Sequence, residues 1–189
     1  MKNLKTIFTN AATMPIFVAL LALNACKSDE TTKKVDEQEL LTTVKLTYTN
    51  QANLTDIVKA TWKDVDGAGG AAPIIDNVNL KANVTYNVIL EVLDESKTPA
   101  ENKTPEIFSK GAEHQFFYAV NPSSLLSVNY ADKDTKNLPI GLTTLQKTSA
   151  AGDGKLKITL KHQPNLKSAI STITTGETDI EVEFNISVK

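Results

Sequence analysis

The sequence predicts an all-β domain, an antiparallel β-sandwich of immunoglobulin-like or similar type with about eight to nine strands. Three observations carry this. From Leu40 to the C-terminus apolar residues recur with a period of two rather than 3.6. Turn-forming clusters interrupt the runs at Asp66-Gly67-Ala68-Gly69-Gly70, Asn121-Pro122, Gly152-Asp153-Gly154 and Gly176. With 1 Cys in 189 residues there is no disulfide framework. A domain of about 150 residues buries roughly 68–70% of its unfolded surface, so it needs none.

The strands follow in chain order. Val44, Leu46 and Tyr48 alternate with Lys45, Thr47 and Thr49, and Val58, Ala60 and Trp62 alternate with Lys59, Thr61 and Lys63. The run Val84-Thr85-Tyr86-Asn87-Val88-Ile89-Leu90-Glu91-Val92 is apolar on both faces at its centre, as a central strand would be. Residues 116–120, 125–130 and 142–148 give three more strands. Leu156, Ile158 and Leu160 alternate with Lys155, Lys157, Thr159 and Lys161. The last strand is the most regular: Ile180, Val182, Phe184, Ile186 and Val188 inward, Asp179, Glu181, Glu183, Asn185 and Ser187 outward. One short helix is expected over 104–112, with Pro105 in its first turn and Gly111 near its end.

The N-terminal segment is processing signal rather than fold. Lys2 and Lys5 precede 21 uncharged residues, Thr6 to Cys26, densest in apolar side chains from Ile16 to Leu23. An uncleaved span would also need such a run, but Thr9, Asn10, Thr13 and Asn24 dilute it and Pro15 interrupts it. Leu23-Asn24-Ala25-Cys26 resembles a bacterial lipobox. The resemblance implies cleavage after residue 25 and acylation of Cys26. At about 0.8 kcal/mol per buried CH₂, two or three acyl chains hold a protein durably on a membrane. Residues 27–39 are polar and lack aromatics, which reads as a tether between the lipidated Cys26 and a single domain over 40–189. Lys27-Ser28-Asp29-Glu30 is similar to the acidic signal that exports Bacteroidota lipoproteins to the outer face of the outer membrane. Cleavage would remove two of twenty Lys, leaving 18 basic against 22 acidic residues and a net charge of −4.

Composition excludes several functions. All basic residues are Lys, and without Arg or a positive balance the chain lacks the footprint of a nucleic-acid binder. No nucleophile elbow, glycine-rich phosphate loop or HExxH occurs, so no enzymatic activity is expected. Three constellations remain. Asp64 and Asp66, followed by Gly67, either begin a Ca²⁺-binding loop or cap a turn, since no further carboxylate follows. His114 and His162, 48 residues apart and the only histidines, share phase with inward residues of their strands. Should those strands be neighbours, both rings and Glu113 would form a two-His, one-carboxylate set for Zn²⁺ or iron, or a haem ligand; the alternative is two rings that cap the core. Asp179, Glu181 and Glu183 make an acidic face that either pairs with Lys155, Lys157 and Lys161 or serves as an interaction edge.

The domain resembles a family of small Bacteroidota surface lipoproteins, on Thr61-Trp62-Lys63-Asp64-Val65-Asp66-Gly67-Ala68-Gly69-Gly70, Glu113-His114-Gln115-Phe116-Phe117-Tyr118, Leu160-Lys161-His162-Gln163-Pro164-Asn165 and Gly176-Glu177-Thr178-Asp179-Ile180-Glu181-Val182. The family often carries the label "type 1 periplasmic binding fold superfamily", a two-lobed α/β architecture, whereas the period-two pattern predicts strands. Its members accompany TonB-dependent outer-membrane receptors, so the resemblance implies capture or presentation of a nutrient for such a receptor. The family pattern has His-Glu-Pro-Asn where this chain has His162-Gln163-Pro164-Asn165, so a Glu ligand at that place would be missing here.

Overall fold

The computed structural model describes residues 40–67 and 69–189. The signal peptide, Cys26 and tether expected over 1–39 lie outside the described residues. Two sheets pack face to face, and the single helix among the described residues is short. The strands are β1 (Thr43–Asn50), β2 (Ile57–Lys63), β3 (Ile74–Ile75), β4 (Val78–Leu80), β5 (Thr85–Asp94), β6 (Glu101–Asn102), β7 (His114–Asn121), β8 (Leu126–Tyr130), β9 (Thr143–Thr148), β10 (Gly152–His162) and β11 (Glu177–Val188); α1 (Thr104–Ser109) separates β6 from β7. The first sheet runs β3-β2-β1-β5-β9-β8, and the second β4-β11-β10-β7. Where β9 leaves β5 at Ile89↔Thr143, β6 continues along β5 at Leu93↔Asn102.

Alternation in the sequence becomes burial in the sandwich. Val44, Leu46 and Tyr48 of β1, Tyr86, Val88, Leu90 and Val92 of β5, and Val182, Phe184, Ile186 and Val188 of β11 all face the core. Each fully buried large apolar side chain contributes about 1.5–3 kcal/mol. Tyr48 and Tyr86 meet edge-to-face at 5.9 Å and 85°, a favoured aromatic geometry. In α1, Pro105 occupies the first turn, where no amide proton is needed, and Ile107 is buried.

The sandwich departs from the sequence expectation in four places. It has eleven strands rather than eight or nine; β3, β4 and β6 are two or three residues long, too short to show a period. The pairing is not wholly antiparallel, because β4 runs parallel to β11. β5 is interior in its sheet but covered on one face only, leaving Ile89 exposed. Thr159 and Lys161, expected outward and wet, are buried. Thr159 donates to Glu181 (3.1 Å) and Lys161 donates to Thr178 (2.9 Å).

One end of the sandwich gathers most of the irregular chain. The backbone enters there at Leu40, with Thr42 bonded to Leu93 at the end of β5. Beside it, Val92 receives α1 through Thr104, and α1 leads into the start of β7. Residues 163–176, between β10 and β11, leave from the same end and reach the α1–β7 connection through Lys167 and the Gly111 carbonyl (2.7 Å). No helix among the described residues is long and apolar enough to cross a membrane.

Candidate functional site

The antiparallel ladder between β7 and β10 starts at Asn121↔Lys155 and ends at His114↔His162, so the two histidines are direct cross-strand partners. Their rings stack with centroids 4.8 Å apart and planes 12° from parallel. His114 is buried, its Nδ1 3.1 Å from the Lys110 carbonyl. A carbonyl only accepts, so Nδ1–H donates and Nε2 is left to face Asp179, 3.7 Å away. His162 is the more open ring, and its Nε2 lies 3.8 Å from the Glu113 carboxylate.

Burial is the main influence on His114 and Asp179. It pushes the His114 pKa down, opposed by the Lys110 carbonyl and assisted by the neighbouring His162. Burial also pushes the Asp179 carboxyl up, with the His162 ring pulling the other way. Asp179 reaches the site because of a β-bulge. Leu160 pairs with Ile180, but the next residue, Lys161, pairs with Thr178, so Asp179 is the extra residue on β11.

His114, His162 and Glu113 are therefore brought together, as the sequence spacing requires for a common site. Their arrangement is not a closed chelate. Among the described residues no group of three or more His, Cys, Asp or Glu is placed to hold a metal ion. The physical reason lies in the stack: parallel rings send their in-plane lone pairs side by side instead of to one point. What the cluster offers is one accessible imidazole, His162, with a carboxylate beside it and a second ring behind.

Asp64 and Asp66 act as turn caps. Asp64 accepts the Gly67 amide (2.9 Å) and Asp66 accepts the Ala71 amide (2.8 Å), so an oxygen of each is already engaged. The Ala71 amide also holds the Asp66 carboxyl below its ordinary range. A Cβ at Gly70 would stand 2.4 Å from the Asp66 carboxyl carbon, so a larger residue there would push that carboxylate off the Ala71 amide. The acidic face of β11 divides: Glu183 pairs with Lys155 and Glu181 with Lys157 (2.8 Å), while Asp179 turns to the histidines and Lys161 to Thr178.

Sequence reasoning missed three features. Asp179 sits in an alternating strand, and no signal in the sequence marks the bulge. Lys167 and Asp134, from two loops 33 residues apart, form a buried ion pair at 2.9 Å with side chains 0% and 1% exposed. An open cleft of about 450 Å³ at the opposite end is lined by Asn77, Asn79, Asp153, Asn185 and Ser187. No family model, curated protein or solved structure matches the chain.

Proposed function

We propose that this protein is a non-enzymatic outer-membrane lipoprotein, held by acyl chains on Cys26 and facing the cell exterior. In this reading it captures a small ligand or metal complex as an accessory to a TonB-dependent transporter. The observation that supports capture is the stack itself: the only two histidines of the chain meet as a cross-strand pair, each with a carboxylate within 4 Å. A metal already held by other donors needs a single imidazole from the protein. His162, the more open ring, supplies it, and Glu113 beside it attracts the cationic centre. His114 acts as a positioning residue; stacked behind His162 and anchored to the Lys110 carbonyl, it fixes the plane of the outer ring.

Haem is a convenient probe, because axial imidazole ligation changes its absorption. Titrating the purified full chain with haem should produce the spectrum of a histidine complex. That spectrum should be lost in His162→Ala and weakened in His114→Ala. No spectral change with haem, and no retained Zn²⁺ after dialysis, would refute capture through a metal. Palmitate labelling lost in Cys26→Ala tests the anchor, and protease shaving of intact cells tests exposure. Co-purification with a TonB-dependent receptor tests the partnership.

A second reading, a structural or adhesive interaction module without a small ligand, is favoured by a different observation. The loop beside the histidines exposes Leu166, Ile170 and Ile173, which suits contact with a larger surface.

A further inference from the structure

Exposed apolar side chains are distributed unevenly over the sandwich. Among the described residues, Leu40, Ile74, Phe108, Leu166, Ile170 and Ile173 are exposed large hydrophobics at the end where the chain enters. Ile170 is 87% exposed and Ile74 is 72% exposed. Ile74 belongs to this end because it pairs with Lys63, which pairs with Thr43 at the start of β1. The opposite end, where β1 turns into β2, exposes Leu54 and Ile57.

Several lysines at the apolar end are paired within the protein, and the carboxylates of Asp64, Asp66, Glu113 and Glu177 lie at the same end. Lys63 pairs with Glu95, Lys97 and Lys103 both pair with Glu101, and Lys110 pairs with Glu106. Residues 163–176 contain one charged side chain, Lys167, and it is buried against Asp134. The exposed part of that loop is therefore uncharged. It is also held in place: Gln163 donates its amide to the Glu113 carbonyl (2.6 Å) and its side chain to the Thr175 carbonyl (3.1 Å).

We propose that this end of the sandwich, led by Leu166, Ile170 and Ile173, rests on the lipid surface to which the chain is attached. The proposal uses only the anchor part of the function given above. Cys26 lies 14 residues before Leu40, so an anchored chain enters the domain at the apolar end rather than at the opposite one. An interfacial contact is built from exposed apolar side chains, and residues 163–176 supply three of them with no exposed charge between. A few such side chains bind a membrane weakly by themselves. An anchor converts the contact into an intramolecular event at high effective concentration. The same placement puts the histidine stack close to the plane in which an outer-membrane receptor lies.

The test uses the full chain with Cys26 acylated, so that Ile170→Cys carries the one free thiol. The protein is labelled there with an environment-sensitive fluorophore and reconstituted into phosphatidylethanolamine–phosphatidylglycerol vesicles containing brominated lipid. Asn79→Cys, at the opposite end, is the control. Emission from position 170 should be lost to bromine quenching while emission from position 79 persists. Adding Leu166→Ser and Ile173→Ser should restore emission at 170. An acylated, vesicle-bound protein with an unquenched probe at 170 overturns the membrane contact alone. A free thiol at Cys26 by mass spectrometry overturns the anchor and this proposal with it. Shielding of position 170 in native membranes but not in protein-free vesicles also overturns it, in favour of a protein occupant.

Discussion

Asp134→Ala removes one half of the buried ion pair that fastens residues 163–176 to the β8–β9 connection. The Lys167 ammonium is wholly buried and has two oxygen partners, Asp134 Oδ2 at 2.9 Å and the Gly111 carbonyl at 2.7 Å. Burial holds its pKa below the ordinary lysine value, with Asp134 opposing. Asp134 also experiences burial, which raises its pKa, but Lys167 and the amides of Leu138 and Lys136 outweigh that and hold it low. Truncating Asp134 leaves the ammonium one carbonyl and no counter-charge, which costs about 3–5 kcal/mol. For a domain of this size 1 kcal/mol moves Tm by about 2–4 °C, so the fall should be roughly 6–20 °C. Lys167→Met should cost less, because the stranded carboxylate keeps the amides of Lys136 (2.8 Å) and Leu138 (2.9 Å). The double variant Asp134→Leu/Lys167→Met should recover most of the loss, since an apolar pair of similar volume avoids desolvation altogether. Urea unfolding of wild type, Asp134→Leu, Lys167→Met and the double variant closes the double-mutant cycle. The sign with pH is also fixed. Asp134 has a folded pKa below its unfolded value, so its contribution is present above about 3.9 and is lost as pH falls through the folded value. The double variant should therefore lose part of its acid sensitivity. Additive single effects, each under about 1 kcal/mol, would refute the assignment of a coupled buried pair.

Three further outcomes are expected. His114, held low by burial, is neutral in both states above about pH 6.5. Below that the unfolded chain takes a proton that the folded site resists, so urea midpoints should decline as pH falls and His114→Leu should flatten the decline; Asp179, raised by burial, acts oppositely at lower pH, its cost easing as it protonates. Gly176→Ala should destabilise by about 2 kcal/mol or more, because φ is +74° and the added Cβ would stand 2.1 Å from the His162 carbonyl oxygen; a calorimetric Tm within error of wild type contradicts this. Lys157→Ala should leave the urea midpoint close to that of wild type, since its pair with Glu181 is solvent-exposed, and a clear drop in the midpoint would mean the β11 face does more than stay solvated.

The long strands were legible because each has one face in the core, and burial imposes its period directly on the sequence. All eight strand runs read from the sequence, and the helix between the third and fourth of them, appear as β1, β2, β5, β7, β8, β9, β10, β11 and α1. What was not legible has no such imprint. β3, β4 and β6 are too short to repeat, and the parallel pairing of β4 depends on where a connecting segment is carried rather than on its composition. The meeting of His114 and His162 was conditional on β7 and β10 being neighbours, and a single sequence does not supply strand order. Asp179 stayed hidden because a bulge alters register without altering residue type. Lys167 and Asp134 look like ordinary surface charges in uncharged or mixed loops, and only packing shows them buried.

The histidine site draws on two parts of the fold, the β7–β10 ladder and the segments that flank it. His162↔His114 is the last rung of the β7–β10 ladder, and the preceding rungs include Phe116, Ile158 and Leu160 in the core. The stack therefore inherits its geometry from a ladder whose neighbouring rungs are buried in the core. Glu113 and residues 163–176 lie outside the ladder, held by Gln163, Lys167 and Gly176. A core variant such as Phe116→Ala removes about 3–5 kcal/mol and should disturb the stack and the fold together. A variant of the loop anchors should leave the ladder intact while altering what covers the open ring. The loop can thus vary without loss of the imidazole plane, which gives the proposed capture at His162 a fixed floor and an adjustable rim.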